Sequence, residues 1–125
     1  MHVLSNQIPG PSGIPGIDHA TLAGSAEGLR RISVWQQSVA PGGATPPHRH
    51  DCEEVVMCNA GEGELHIGGK VERFGPNTTV VIPANADHQI ISVGREPLQF
   101  VAVFSMSPVL AHFPDGQSID LPWKS

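Results

Sequence analysis

The sequence predicts an all-β fold in which short strands form a sandwich or a barrel, and three observations support this prediction. The 14 glycines and 12 prolines leave no stretch suited to a long helix but are compatible with strands joined by turns. Apolar and polar residues alternate with a period of two in several short segments. A chain of 125 residues has room for one core, so residues 1–125 are expected to form a single domain with a β core at about 30–107.

The elements follow in chain order from alternation and turn signals. Residues 1–28 contain closely spaced prolines and glycines and are expected to form an irregular, extended arm. The tail from residue 113 onward is too rich in proline for a central strand, and we expect it to lie across the β core. Between arm and tail the predicted strands are 30–39, 54–58, 64–67, 71–74, 78–82, 88–93 and 98–106.

Glycine and proline mark the turns between these strands. In the first predicted strand Ile32 and Val34 lie on one face and Trp35 on the other. Gly68 and Gly69 predict a tight hairpin, because both positions of such a turn require positive φ. Similar breaks at 40–44, 59–61, 75–77 and 94–97 separate the remaining strands.

Charge, hydropathy and cysteine usage exclude several classes of function. Seven Lys and Arg against twelve Asp and Glu give a net charge of −5 without a basic run, so no nucleic-acid partner is expected. No apolar stretch approaches the roughly 20 residues of a membrane helix, and the first residues lack a secretory signal pattern, so no membrane partner is expected. Cys52 and Cys58 are expected on or near one strand, roughly 20 Å apart, which predicts two reduced thiols and a cytoplasmic location.

The seven histidines carry the main functional signal. His48 and His50 are two positions apart, so an extended chain points both side chains to one face. Glu54 is also an even number of residues away, so a continuous strand would point it to the same face. His88 opens a later strand after a turn at 82–87 that can bring it beside the other three. Three imidazoles and one carboxylate suit one divalent ion, whether Zn, Fe, Mn, Co or Ni, and leave positions for water or substrate.

The other titratable side chains offer no comparable constellation. Four histidines are expected on the surface, namely His2, His19, His66 and His112. The spare titratable groups beside the four candidate ligands are Asp51, Cys52 and Glu53, of which Glu53 has the opposite parity. No clear general base or nucleophile stands among them.

The spacing around the candidate ligands resembles that of the cupin superfamily. Gly42, His48, His50, Glu54 and Gly61 match every spacing of its first motif. The resemblance implies a jelly-roll β-barrel that holds a metal ion inside.

The second cupin motif is matched with two departures. Pro83 and His88 occupy their expected places, whereas Asn85 stands where glycine is usual and Ser92 where asparagine is usual. Both departures concern turn geometry, so the expected ligand set is unchanged.

A closer resemblance, from about 16 to 91, is to the plant auxin-binding protein family. It is carried by residues 16–24, 34–37, 45–55 and 77–89, with a weaker echo at 122–123. The resemblance implies zinc on the four candidate ligands, a carboxylic acid bound through the metal, and a homodimer. It also implies that Thr45, Pro46 and Trp123 line the ligand pocket. The chain departs from that family in lacking its signal peptide, its retention tail and its terminal cysteine pair, so a microbial, cytoplasmic relative is expected.

Two functions remain open at this point, with a structural or regulatory barrel as a third. A divalent ion with three neutral imidazoles and one carboxylate has a formal charge of about +1, which favours a small monocarboxylate as exchangeable ligand. The first function is therefore a metal-dependent binding protein for a small, auxin-like or other carboxylic acid. The alternative is a metal-dependent enzyme, a dioxygenase, decarboxylase or isomerase acting on a small carboxylate.

Overall fold

A computed structural model describes residues 2–125 and is almost entirely β, which confirms the predicted fold class. Within this range no helix is long and apolar enough to cross a membrane. One 3₁₀ turn occupies Ser25–Glu27. The strands are β1 (Gly10–Pro11), β2 (Ile17–Ala23), β3 (Ser33–Val39), β4 (Glu54–Ala60), β5 (Gly63–Ile67), β6 (Lys70–Phe74), β7 (Thr78–Ile82), β8 (His88–Ser92) and β9 (Leu98–Phe104).

The strands form two antiparallel sheets. The larger sheet has the order β1-β2-β3-β9-β4-β7, and the smaller one has the order β6-β5-β8. Both contribute to one buried apolar cluster, to which the small sheet adds Leu65, Phe74 and Ile90. The architecture is therefore a jelly-roll sandwich, and strand pairing within residues 2–125 does not close it into a barrel.

The core follows from the period-two pattern of the central strands. In β9 every second side chain is buried, from Leu98 through Phe100 and Ala102 to Phe104. Strand β3 buries Trp35 and Val39 on the same inner side. Large apolar side chains thus fill the space between the sheets close to the histidine segments.

The prediction of an irregular arm over residues 1–28 is wrong for residues 10–11, which form β1 and pair with β2, for the 3₁₀ turn at 25–27, and above all for residues 17–23. These residues form β2, which pairs with β3 from Ile17 opposite Val39 to Ala23 opposite Val34. Only Ile17 and Ala20 are buried in β2, so its alternation in the sequence is weak. The hydrogen bonds to β3 decide the conformation of this segment, and a bulge between Thr21 and Ala23 ends the regular register.

The other predicted elements lie close to their expected places. All seven predicted strands are present, and the first begins at Ser33 because the residues before it are exposed and unpaired. Gly68 and Gly69 form the predicted hairpin with φ of 59° and 75°. The tail packs against the sandwich as expected, with Leu121 and Trp123 against the core.

Candidate metal centre

Two segments bring three of the predicted ligands together. The backbone of His48 exchanges two hydrogen bonds with the backbone of His88, at 2.8 and 3.0 Å. Asn85 N–H donates to the His50 carbonyl at 2.7 Å, which fixes the turn before β8 against the first segment. One ligand atom of each histidine lies within 4.8 Å of the others.

Asn85 explains how the second motif tolerates its departure from glycine. Its φ is 63°, in the left-handed region that glycine occupies most readily. Asparagine is one of the side chains that accept this conformation at low cost. The turn therefore keeps its shape, and His88 still faces His48.

Backbone carbonyls orient all three imidazole rings. The Nδ1 atoms of His48, His50 and His88 lie 2.6, 2.8 and 2.9 Å from carbonyl oxygens. A carbonyl can only accept, so each Nδ1 carries a hydrogen, and in the neutral ring each Nε2 keeps its lone pair. Rings held in this way are typical of histidines that bind a metal through Nε2.

The Glu54 carboxylate is not one of the three residues whose ligand atoms all lie within 4.8 Å of one another, but it contacts two of them, His50 and His88. Its Oε1 lies 3.6 Å from Nε2 of His50 and 3.4 Å from Nε2 of His88. Two ligands at about 2.0–2.1 Å from one tetrahedral ion are about 3.3–3.4 Å apart, so this spacing fits a shared metal. Within residues 2–125, Glu54 Oε1 and His88 Nε2 are buried without a hydrogen-bond partner. An ion between them would satisfy both atoms.

Burial and charge set the protonation of the rings. Burial, with the nearby charges of His88 and His50, lowers the pKa of His48 to about 4, and burial also lowers the pKa of His50. Burial acts in the same direction on His88, but the adjacent Glu54 outweighs it and holds the pKa of His88 above 6.5. The His48 and His50 rings are therefore neutral at pH 7, whereas His88 is the ring of this cluster on which a proton competes most strongly with a metal ion.

A small cavity of about 50 Å³ adjoins the histidines. Thr45, Pro46 and Trp123, which the family resemblance placed in a pocket, line it together with His48 and His50. Thr45 Oγ1 accepts a hydrogen bond from the Ile90 N–H at 3.0 Å, so this side chain also ties the wall to β8. The remaining lining is mostly apolar.

Sequence reasoning missed two polar side chains of this region, besides the apolar lining residues. Gln37 lines the cavity from the inner face of β3 although its sequence neighbours gave no functional signal. His19 was expected on the surface, but it is half-buried, and its ring stacks on Trp123 with centroids 4.0 Å apart. The alternation Trp35, Gln37, Val39 could have placed Gln37 inside, whereas nothing in the sequence pairs His19 with the tail.

The spare titratable groups offer no chemistry here. Asp51 and Glu53 are exposed, and burial raises the pKa of the Cys52 thiol to about 11. Cys52 and Cys58 are both free thiols. The Cys52 thiol therefore stays protonated at neutral pH.

The jelly-roll fold and its three-histidine cluster define a cupin protein with a candidate metal site. The chain belongs to the auxin-binding protein family, because the sequence profile described as "Auxin binding protein" matches residues 3–121. It is 39% identical over 107 residues to Auxin-binding protein 1 of Arabidopsis thaliana, which covers 78% of this chain and 54% of that protein. Auxin-binding protein T85 of Nicotiana tabacum is 39% identical over 119 residues, covering 86% and 64%. The chain thus spans less than two thirds of these relatives.

Solved structures support the fold. An oxalate oxidase superposes with a TM-score of 0.74 at 26% identity, covering 86% of this chain and 60% of that chain. A cupin 2 domain-containing protein of Halorhodospira halophila gives a TM-score of 0.67 at 31% identity, covering 72% and 64%. The polyketide cyclase RemF of Streptomyces resistomycificus gives a TM-score of 0.74 at 22% identity, covering 97% and 87%, and shows the fold alone.

Proposed function

We propose that this chain binds one divalent metal ion and takes a small carboxylic acid as an exchangeable ligand of that ion. The proposed metal ligands are His48, His50, Glu54 and His88, and family membership favours zinc. The observation that carries the proposal is the common orientation of the three rings, with Nδ1 bonded to the backbone and Nε2 free. A bound ion would polarise the acid's carboxylate oxygens and hold them at the end of the cavity.

The cavity supports a ligand with an apolar body. Thr45, Pro46 and Trp123 would contact the part of the acid that points away from the metal. A volume of 50 Å³ is small beside the roughly 300–1,000 Å³ of typical ligand pockets. An aromatic, auxin-like acid would therefore displace the Trp123 side chain, whereas a short aliphatic acid would leave it in place.

The experiment that tests this function begins with elemental analysis of protein purified without added metal. Near-stoichiometric zinc is the expected result. Calorimetric titration of the zinc-loaded and the chelator-treated protein with acetate, butanoate and indole-3-acetate follows. We expect binding to the zinc-loaded protein alone, because the carboxylate needs the metal charge. Equal binding to both forms would contradict the proposal.

The apparent metal affinity is expected to rise with pH through the neutral range and then level off. The pKa of His88 lies above 6.5, so a proton competes with the metal for its Nε2 below that pKa. At pH values below the pKa of His88, the apparent metal affinity should fall about tenfold per pH unit, because metal binding displaces this one proton. When the metal concentration is limiting, the site should lose its metal below about pH 6. Competition with a calibrated chelator between pH 5 and 8.5 measures this. Full occupancy at pH 4.5 would contradict the assignment.

An enzymatic function is the second candidate. The observation that favours it is the similarity to an oxalate oxidase at 26% identity, a protein whose name describes oxidation of a small carboxylate. Iron or manganese rather than zinc in the purified protein would favour this alternative, because zinc has no redox chemistry. Oxygen consumption with a panel of small carboxylic acids would then decide between a binding protein and a dioxygenase or oxidase.

We also propose a homodimer formed through the outer face of the large sheet. Val34, Val103, Val55 and Val81 are cross-strand neighbours and form one row over β3, β9, β4 and β7. Val81 is 70% exposed, and the other three are partly exposed. An apolar row of this kind supports a symmetric contact between two copies.

The double substitution Val81→Lys and Val103→Lys is expected to produce a monomer. Each lysine would be desolvated at the contact and would lie near its symmetry mate, which should weaken association by more than about tenfold. Light scattering after size exclusion should give twice the 13.2 kDa chain mass for the wild type and the chain mass for the variant. Val71→Lys, at a 55% exposed position of the small sheet, is the control and should remain dimeric.

A reducing, cytoplasmic environment is proposed on the basis of the two thiols. Cys52 and Cys58 are free and buried, and burial raises the pKa of both, which keeps them as inert thiols. Thiol titration of unfolded protein prepared under anaerobic conditions should give two free groups.

A further inference from the structure

Arg49 lies between His48 and His50, so in an extended segment its side chain points away from their rings. The side chain is 27% exposed. One guanidinium nitrogen, Nη1, donates two hydrogen bonds at 3.2 Å, to Oδ1 of Asp87 and to the Pro114 carbonyl. A guanidinium cation has no lone pair for a metal ion. Its effect on the metal site must therefore act through the two segments that it joins.

The first of these segments leads to His88. Asp87, which accepts from Arg49, directly precedes His88 in the chain. One residue earlier, the Ala86 carbonyl lies 2.9 Å from Nδ1 of His88 and orients its ring. The Arg49 side chain is therefore attached to the same short turn that both carries the His88 ring and supplies its carbonyl partner.

The second segment leads from Pro114 back to the ring of His50. The backbones of Arg49 and His112 exchange two hydrogen bonds, both at 2.9 Å. Two residues before His112, the Leu110 carbonyl lies 2.8 Å from Nδ1 of His50. Arg49 thus holds this segment at two points, through its backbone at His112 and through its side chain at Pro114. The segment in turn fixes the direction of the His50 ring.

We propose that Arg49 is a positioning residue for the metal ligands, which ties the turn before His88 and the segment behind His50 to the chain between the two first histidines. The inference rests on the proposed function, because the direction of the rings matters only if they bind an ion. Groups that orient metal-binding rings typically contribute about 10–100-fold to metal affinity. A guanidinium suits this role because it is always charged and presents several donors in one rigid plane.

The charge of Arg49 gives this proposal a distinctive sign. A cation near the site repels a divalent ion, so removal of the charge alone would strengthen metal binding. Loss of the two tethers would weaken metal binding instead. An uncharged side chain of similar length at position 49 therefore separates the two effects by the direction of the change.

The test compares zinc binding by the wild type and by Arg49→Met at pH 8, in competition with a calibrated chelator. We expect the variant to bind zinc about tenfold more weakly. The visible spectrum of the cobalt(II)-loaded protein should also change, because its bands depend on the arrangement of the ligands. Arg73→Met is the matched control at an exposed position of β6, a strand without any proposed ligand, and should keep the wild-type affinity and spectrum.

A second pair of variants tests the tether from its other end. Asp87→Asn and Asp87→Ala lose the same charge, but only the asparagine keeps an oxygen that can accept from Arg49. We therefore expect Asp87→Ala to bind zinc more weakly than Asp87→Asn, by about threefold. This comparison does not depend on whether Arg49→Met folds. The melting temperature of each metal-free variant is measured, so that only folded proteins are compared.

Each outcome has a defined meaning. Weaker zinc binding with an altered cobalt spectrum in Arg49→Met, and neither change in Arg73→Met, supports the inference. Unchanged or tighter zinc binding by folded Arg49→Met overturns the role of Arg49 and leaves the proposed function intact, as does equal zinc binding by the two Asp87 variants. A wild type that binds no zinc, cobalt or other divalent ion contradicts the proposed function itself, and this inference fails with it.

Discussion

Replacing His48 and His50 with alanine is expected to abolish metal binding while the circular-dichroism spectrum stays that of a β protein. The change removes two of the proposed donors, and neither ring is needed for the strand ladders, because both residues lie outside the nine strands. The His50 ring does contact Phe104, with centroids 4.9 Å apart, so a loss of stability of about 1–3 kcal/mol is expected as well. Metal content by elemental analysis should fall from near one ion per chain to below about 0.1.

A matched double variant controls for histidine content. His66→Ala with His112→Ala also removes two imidazoles, but neither residue belongs to the cluster of three histidines. This variant should retain the wild-type metal content. Unchanged metal in the protein that lacks His48 and His50 would show that the ion, if one is present, binds elsewhere.

The common direction of the His48 and His50 rings was predictable because it depends on short-range geometry, whereas His88 reaches them through a bridge between distant segments. His48 and His50 lie on an extended segment, so their two-residue spacing puts both rings on one side without a regular strand. The parity argument for Glu54 assumed a continuous strand, but the chain bends at Asp51 and Cys52. Glu54 still reaches the cluster because β4 begins there and directs its side chain into the core.

The rest of the site depends on contacts between distant parts of the chain, which local patterns do not contain. His19 stacks on Trp123, and Thr21 donates a hydrogen bond to the Lys124 carbonyl, so β2 and the C-terminal tail fix each other's position. The prediction for residues 1–28 failed for the same reason, because β2 is stabilised by its ladder with β3 rather than by its own alternation. Residue types and spacing therefore predict the histidine cluster better than the cavity beside it.

Replacing Glu54 with glutamine is expected to weaken metal binding by at least about 100-fold at pH 8. An amide oxygen has nearly the same shape but no charge, so the ion would lose its only anionic protein ligand. The substitution also removes the charge that raises the pKa of His88, and burial should then lower that pKa. The fall in metal affinity on acidification should consequently begin at a lower pH in the variant than in the wild type.

These two effects have opposite signs at low pH, which separates two roles of Glu54. If Glu54 binds the ion, Glu54→Gln weakens binding at every pH in a chelator competition between pH 5 and 8.5. If Glu54 serves only as the proton partner of His88, the same variant binds metal as well as the wild type at pH 8 and better at pH 6, because less proton competition remains. Glu53→Gln makes the same chemical change at an exposed neighbouring residue. This variant should have the metal affinity of the wild type at every pH. The metal affinity measured at pH 8 therefore decides whether Glu54 belongs to the proposed ligand set, because protons no longer compete with the metal at that pH.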